Sequence, residues 1–283
     1  MAAILSIISV VGYSLISIYI GKVSQKYGAF WTGFWIQVIG LPLTLLFLPL
    51  FGLNLSFNIY LLPIAIFGIV MAFVFILYCR NLSIGPPAIV QSILRIGTLI
   101  TFLLAIFFLN EAITPLKMTG GLLIIFGAIM VSFDIKKLLN KKFEILTKAV
   151  PLTILQAILG GVIFVLLGIA TKHFDGFSVS VGSRLFIVPA FLLISLTQAK
   201  PKNPITKTSW KILFFIAFID VIAFILYNMS VKIYEVSFAA IMQGTIPVVT
   251  AIISFLFFKE RLRFSQKLGI LITVIGVISL GIK

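Results

Sequence analysis

Charge is scarce in this sequence, and acid is scarcer still. Only 10% of its 283 residues are charged, with 22 Lys and Arg against 7 Asp and Glu. Soluble domains carry about 25% charged residues, so a soluble enzyme is excluded. The single cysteine, Cys79, rules out an intrachain disulfide and a Cys-rich metal site. One histidine and so few acids provide no metal-ligand cluster, and neither metal nor cofactor is expected. No Walker A pattern occurs, so ATP is not the direct energy source. The opening segment Ala2–Ile20 lacks a basic n-region and an Ala-x-Ala site, and reads as a retained helix rather than a cleaved signal.

What remains is apolar. Hydrophobic residues make up 61% of the chain, and the mean hydropathy is +1.25. Ten stretches long enough to span a bilayer run over 2–20, 30–51, 59–79, 86–109, 116–133, 149–171, 177–197, 210–230, 236–258 and 264–282. Their length and unbroken apolarity predict helices rather than the short alternating strands of a barrel. The fold class is therefore all-α integral membrane.

The net charge of +15 does not point to nucleic acid, because the lysines and arginines sit in connections and no long basic face exists. Lys117, Lys172, Lys232 and Lys283 fall in the even-numbered connections or at the C-terminus; the other cations outside the spans fall in the odd-numbered ones. The positive-inside rule then places both termini outside the cytoplasmic membrane.

The chain also repeats itself. Phe75-Ile76-Leu77-Tyr78 recurs as Phe224-Ile225-Leu226-Tyr227, 149 residues later. The same ungapped offset equates Phe108 with Phe257, Glu111 with Glu260, Gly120 with Gly269 and Gly127 with Gly276. A shift of two residues extends the match to Phe30/Phe177 and Pro42/Pro189. Two halves follow, 1–140 and 141–283. Five helices in each is an odd number, so the halves must insert in opposite orientations. Inverted repeats of this kind build many secondary transporters, with the solute site at midplane between them.

Two apolar helices ending in Phe-Leu-Asn-Glu111 and Phe-Phe-Lys-Glu260, each followed by a glycine-bearing helix, complete the pattern. With the ten-helix repeat, it resembles the EamA-like branch of the drug/metabolite transporter superfamily. The resemblance implies a secondary transporter of amino acids, sugars, nucleotide derivatives or other small metabolites. It also implies a central cavity lined by the first, third, fourth, sixth, eighth and ninth spans. The membrane-embedded glutamate that small multidrug members use for cationic drugs is missing from the first span.

Three ionisable residues fall well inside spans: Arg95, Arg184 and Asp220. Arg95 lies eight residues past Pro87, about 12 Å along a helix, within a hydrocarbon core about 30 Å thick. An unpaired charge there costs at least about 2.5–3.5 kcal/mol, so it marks a site by default. One aspartate cannot neutralise two arginines. The arginine left over must turn to carbonyls, water or an anionic ligand, and a carboxylate or phosphate suits its planar fork. The competing reading is a structural Asp220–arginine pair with the other arginine snorkelling.

Gln91 and Thr98 share the helical face of Arg95. In the second half the corresponding region holds Gln243, Gly244, Thr245 and Pro247. Gly244 replaces Arg95 and leaves room for a side chain or solute; Pro247 can loosen the helix for a gating bend. Tyr13, Ser17, Gln156, Tyr78 and Tyr227 are further cavity candidates, although polar residues at helix contacts also serve simply as packing glue. Gly120, Gly127, Gly269 and Gly276 are read as helix-packing positions. Glu111 and Glu260 are expected in interfacial ion pairs, Glu111 with Lys117.

The leading expectation is a transporter of small polar metabolites, amino acids or other carboxylate-bearing compounds, working by alternating access. An intramembrane enzyme or a non-transporting membrane scaffold is the alternative. An enzyme would need a nucleophile–base set, and the sequence offers none. Expected partners are the small-molecule solute and the lipid bilayer, with a homo-oligomer left open and nucleic acid excluded.

Overall fold

The computed structural model describes residues 1–85, 87–112, 114–132, 143–201, 203–258 and 262–281. Glu260 lies outside the described residues. Regular structure among them is helical throughout. α1 (Ala2–Tyr27) and α2 (Ala29–Leu45) are joined by Gly28 alone, whose φ of 94° lies where an L side chain is strained. A single turn follows, α3 (Leu48–Phe51). Then come α4 (Leu61–Ile84), α5 (Pro87–Leu109) and α6 (Pro115–Ser132). The second half contains α7 (Phe143–His173), α8 (Gly176–Ser195), α9 (Lys207–Ile233), α10 (Val236–Gln243), α11 (Ile246–Phe258) and α12 (Phe264–Gly281).

Seven described helices or helix pairs have the length and apolarity to cross a membrane, and three shorter apolar helices join them. Large apolar side chains such as Phe107, Phe108, Leu193 and Phe257 stand exposed on the periphery, as lipid contact requires. The protein is an integral membrane protein.

Two expected spans are interrupted. The second stops at Leu45, because Pro49 lacks the N–H that a continuing helix would donate to the Leu45 carbonyl. The ninth is broken at Gly244–Thr245 into α10 and α11.

The helix ends follow the sequence repeat. Adding 149 to Ile84, Pro87, Leu109, Pro115 and Ser132 gives Ile233, Val236, Phe258, Phe264 and Gly281, each the matching end of an element in the second half. Packing follows it too. α1 packs on α9 as α7 packs on α4, α2 meets α9 as α8 meets α4, and α6 lies along α12. The α6–α12 contact is set by glycine: a Cβ on Gly269 would come within 2.7 Å of the Gly127 carbonyl, and one on Gly276 within 2.8 Å of that of Gly120. Backbones approach this closely only where side chains are absent.

Candidate functional site

Between the halves lies a cavity of about 190 Å³. Its wall draws on α1, α2, α4, α5, α7, α8, α9, α10 and the first residue of α11, and on no described residue of α6 or α12. That includes the six spans the family resemblance implies, plus α2 and α8. Aromatic side chains form much of the lining: Tyr13, Phe75, Tyr78, Phe164, Phe224 and Tyr227.

Arg184 enters from α8, fully enclosed at 2% exposure. Its Nη2 donates to Asp220 Oδ2 at 2.7 Å, and its Nη1 donates to Gln37 Oε1 at 2.7 Å. The guanidinium carbon also stands 5.8 Å from the ring centre of Phe224, a cation–π distance. Gly40 makes room for this group, since a Cβ there would meet Arg184 Nη1 at 2.5 Å. A charge buried this deeply is tolerable only when paired and hydrogen-bonded, and Arg184 has both a counter-ion and a neutral acceptor. Gln37 and Arg184 occupy equivalent places under the shifted repeat, and they touch.

Arg95 on α5 is as deeply placed but differently satisfied. Its Nε donates to the Gln91 carbonyl at 2.9 Å and its Nη2 to Gln91 Oε1 at 3.1 Å. Its Nη1 donates to the backbone carbonyl of Gln243. Among the described residues Arg95 makes no ion pair. The charges on the cavity wall, two arginines and one aspartate, leave one positive charge over. Polar contacts extend from this arginine on both sides. Gln91 Nε2 donates to the Tyr78 hydroxyl at 2.8 Å, and Gln243 Nε2 donates to Ser9 Oγ at 3.0 Å.

The Gln243 carbonyl is available because of Pro247. In a regular helix the N–H of residue 247 would bond to the carbonyl of residue 243, and proline has none. The chain turns tightly here, with the N–H of Thr245 reaching back to the Met242 carbonyl at 3.1 Å before α11 begins.

Ten residues proposed from the sequence line the one cavity: Tyr13, Tyr78, Gln91, Arg95, Thr98, Gln156, Arg184, Asp220, Tyr227 and Gln243. Ser17 and Gly244 do not. Ser17 Oγ is turned back onto the Ser14 carbonyl at 2.8 Å. A Cβ on Gly244 would meet the Ile241 carbonyl at 2.7 Å and Ile124 of α6 at 3.0 Å, so packing requires the glycine there. Pro247 is buried in α11, off the wall. Further wall residues carried no signal in the sequence: Met71, Phe164 and the close α5–α7 crossing, where a Cβ on Gly97 would lie 2.6 Å from the Ala157 carbonyl. Asn81, which donates to Gln156 Oε1 at 2.8 Å, was equally silent.

At the end of the bundle where α5 and α7 finish, polar contacts tie the connections together. Glu111 does not bond Lys117 there. Its two carboxylate oxygens accept from the Val236 and Ser237 N–H groups at 2.9 Å each, capping α10 where the helix dipole favours an anion. Lys117 pairs with Glu235 instead. The expected partner lost because two N–H groups without an intrahelical acceptor at a helix start offer a carboxylate a bidentate fit. Lys172 and Lys232 add bonds to the Leu109 and Thr171 carbonyls. His173 closes α7 and stacks on Tyr60 with ring centres 3.3 Å apart.

This arrangement can hold a small solute with an anionic group at one end and an apolar body among the rings. Several findings bear on identity. No curated protein matches the chain. One crystal structure superposes over 99% of this chain and 96% of its own with a TM-score of 0.77 at 14% sequence identity, a likeness of fold alone. The profile of the EamA-like transporter family matches twice, over residues 1–133 and 147–282. Those two matches take in nearly the whole sequence, and the chain belongs to the EamA-like transporter family.

Proposed function

We propose that this membrane transporter carries small metabolites bearing a carboxylate or phosphate, amino acids among them, across the cytoplasmic membrane by alternating access. The observation that carries the reading is Arg95. It is buried in the wall of the cavity with only neutral acceptors, while the one buried carboxylate among the described residues is committed to Arg184. An intramembrane cation that lacks a counter-ion favours an anionic ligand and repels a cationic one. The volume, below the roughly 300–1,000 Å³ of drug-sized sites, suits a small solute.

The mechanism rests on two inverted repeats, 1–140 and 141–283, of five spans each. Helix ends matched at one offset, packing that is preserved when the halves are exchanged, and contact between the equivalent residues Gln37 and Arg184 all support a two-fold relation. Ten spans put both termini on one side, outside by the charge bias. Rocking of one half against the other would expose the cavity to each face in turn.

Uptake into proteoliposomes tests the reading, with labelled L-leucine, L-glutamate and inorganic phosphate as anion-bearing probes and putrescine as the cationic control. At least one anion-bearing probe should accumulate, and Arg95→Ala should abolish that flux. Flux that survives Arg95→Ala, or a preference for putrescine, overturns it. A reporter fused to the C-terminus should read as external; a cytoplasmic signal overturns the orientation.

A further inference from the structure

We infer that the Gln243 carbonyl is a built-in surrogate for the solute's anionic group, and that Pro247 is the positioning residue that creates it. Binding of an anion to Arg95 then loosens the inner end of α10. The inference rests on the proposed anion site and adds how occupancy of that site reaches the helix that must move.

Four features converge. Pro247 denies the Gln243 carbonyl its intrahelical donor. Arg95 Nη1 supplies the missing one. The helix is interrupted at this point, so α10 is a separate element of 8 residues. Its other end is tied by Glu111 through the Val236 and Ser237 N–H groups and by Lys117 through Glu235. α10 is buried against α1, α5 and α6, and its polar ties lie at its two ends, one set at the bundle end and one inside the cavity, where Gln243 Nε2 also bonds Ser9 Oγ. The inner attachment uses the guanidinium nitrogen that a solute carboxylate would need.

An anion is a stronger acceptor than a neutral carbonyl, so it displaces Gln243 from Nη1. The carbonyl cannot fall back on its own helix, because Pro247 has no N–H to offer. It must turn to the solute, to water or to another donor, and the inner end of α10 loses its main-chain tie to α5, keeping the Gln243–Ser9 bond. The first half has no such device: the residues equivalent to Gln243, Gly244 and Pro247 are Leu94, Arg95 and Thr98, and α5 runs unbroken from Pro87 to Leu109.

Hydrogen exchange of the α10 amides, Val236 to Gln243, tests this first without ligand. Arg95→Gln should speed their exchange roughly tenfold or more, the effect of losing one hydrogen bond from a charged group. Pro247→Ala restores an N–H for the Gln243 carbonyl, so Arg95→Gln added to it should change exchange less than twofold. An equal Arg95→Gln effect in both backgrounds, or none in either, overturns the inference. Should Arg95→Gln fail to fold, Arg95→Lys, which keeps the charge but loses the fork, is read the same way.

The second measurement adds L-leucine, L-glutamate or inorganic phosphate, whichever the flux assay selects. Exchange in α10 of the unaltered protein should rise on binding, where ordinary ligand ordering would lower it; protection on binding overturns the inference. Pro247→Ala, freed of the internal competitor, should bind that probe several-fold more tightly yet transport it more slowly. If none of the probes is transported, the anion reading fails while the ligand-free exchange still decides whether Pro247 and Arg95 act through one carbonyl.

Discussion

Arg95 and Arg184 are the same residue type at similar depth, one in each half, and the protein treats them in opposite ways. Arg184 has a carboxylate, an amide oxygen and an aromatic face, all at fixed positions around it. Arg95 has a side-chain amide from its own helix and two backbone carbonyls. The first arrangement cancels charge and holds α2, α8 and α9 together. The second satisfies donors without cancelling charge. A buried cation is thus a strut or a binding group according to what accepts from it, not according to its burial.

Removing the strut's counter-ion is the most severe way to break this contrast. Asp220→Ala leaves Arg184 buried without its anion, and a loss of about 3–5 kcal/mol is expected, seen as a large drop in melting temperature in detergent. Replacing both members, Arg184→Met with Asp220→Leu, should recover most of that loss, because an apolar pair carries no orphan charge. If the single and double variants melt alike, Arg184 is not a strut.

The next largest effect separates activity from stability. Arg95→Gln breaks hydrogen bonds but no ion pair, so unfolding should shift by about 1.5–3 kcal/mol, less than the loss of the Asp220 anion. Uptake of the anion-bearing probe should nevertheless fall roughly 30-fold or more, as expected when one side of a buried charge contact is lost. A variant that melts far lower, with flux falling only in step with folded protein, would place Arg95 with Arg184.

Gly40→Ala sharpens the comparison from the neighbouring helix. Its Cβ would press on Arg184 Nη1 and should cost about 1–3 kcal/mol as overpacking, measured by thermal melting. Arg95 has no such neighbour, and flux per folded molecule should change little. The smallest effect belongs to the bundle-end attachment of α10. Glu111→Ala removes a helix cap worth about 0.5–2 kcal/mol, and exchange at Val236 and Ser237 should quicken several-fold while the melting temperature barely moves.

Much of this was legible from residue order. Phe75–Tyr78 and Phe224–Tyr227 gave the register of the repeat, and the helix ends later fell on the same offset of 149. The charge count at Arg95, Arg184 and Asp220 showed that one arginine must go without a carboxylate. Side-chain chemistry could not say which one, because that depends on α8 facing α9 across Gly40. Nor could residue identities reveal that a main-chain oxygen serves Arg95. Every residue has a carbonyl, and this one stands apart only because a proline sits four positions on. The wall residues Met71, Phe164 and Gly97 were hidden for another reason: in a greasy helix they look like any lipid-facing or packing position. Residue order offers Glu111 only its nearest lysine, while the N–H groups of a helix 125 residues away leave no mark in it.

The bond between Arg95 and the Gln243 carbonyl also bears on equilibrium. On the proposed inverted arrangement, two identical halves would make the inward-open and outward-open conformations mirror each other, with equal populations at rest. An arginine in one copy opposite a glycine in the other removes that degeneracy. The conformation in which Arg95 reaches Gln243 holds a contact its counterpart cannot reproduce, so the empty transporter rests on one side by as much free energy as that contact supplies.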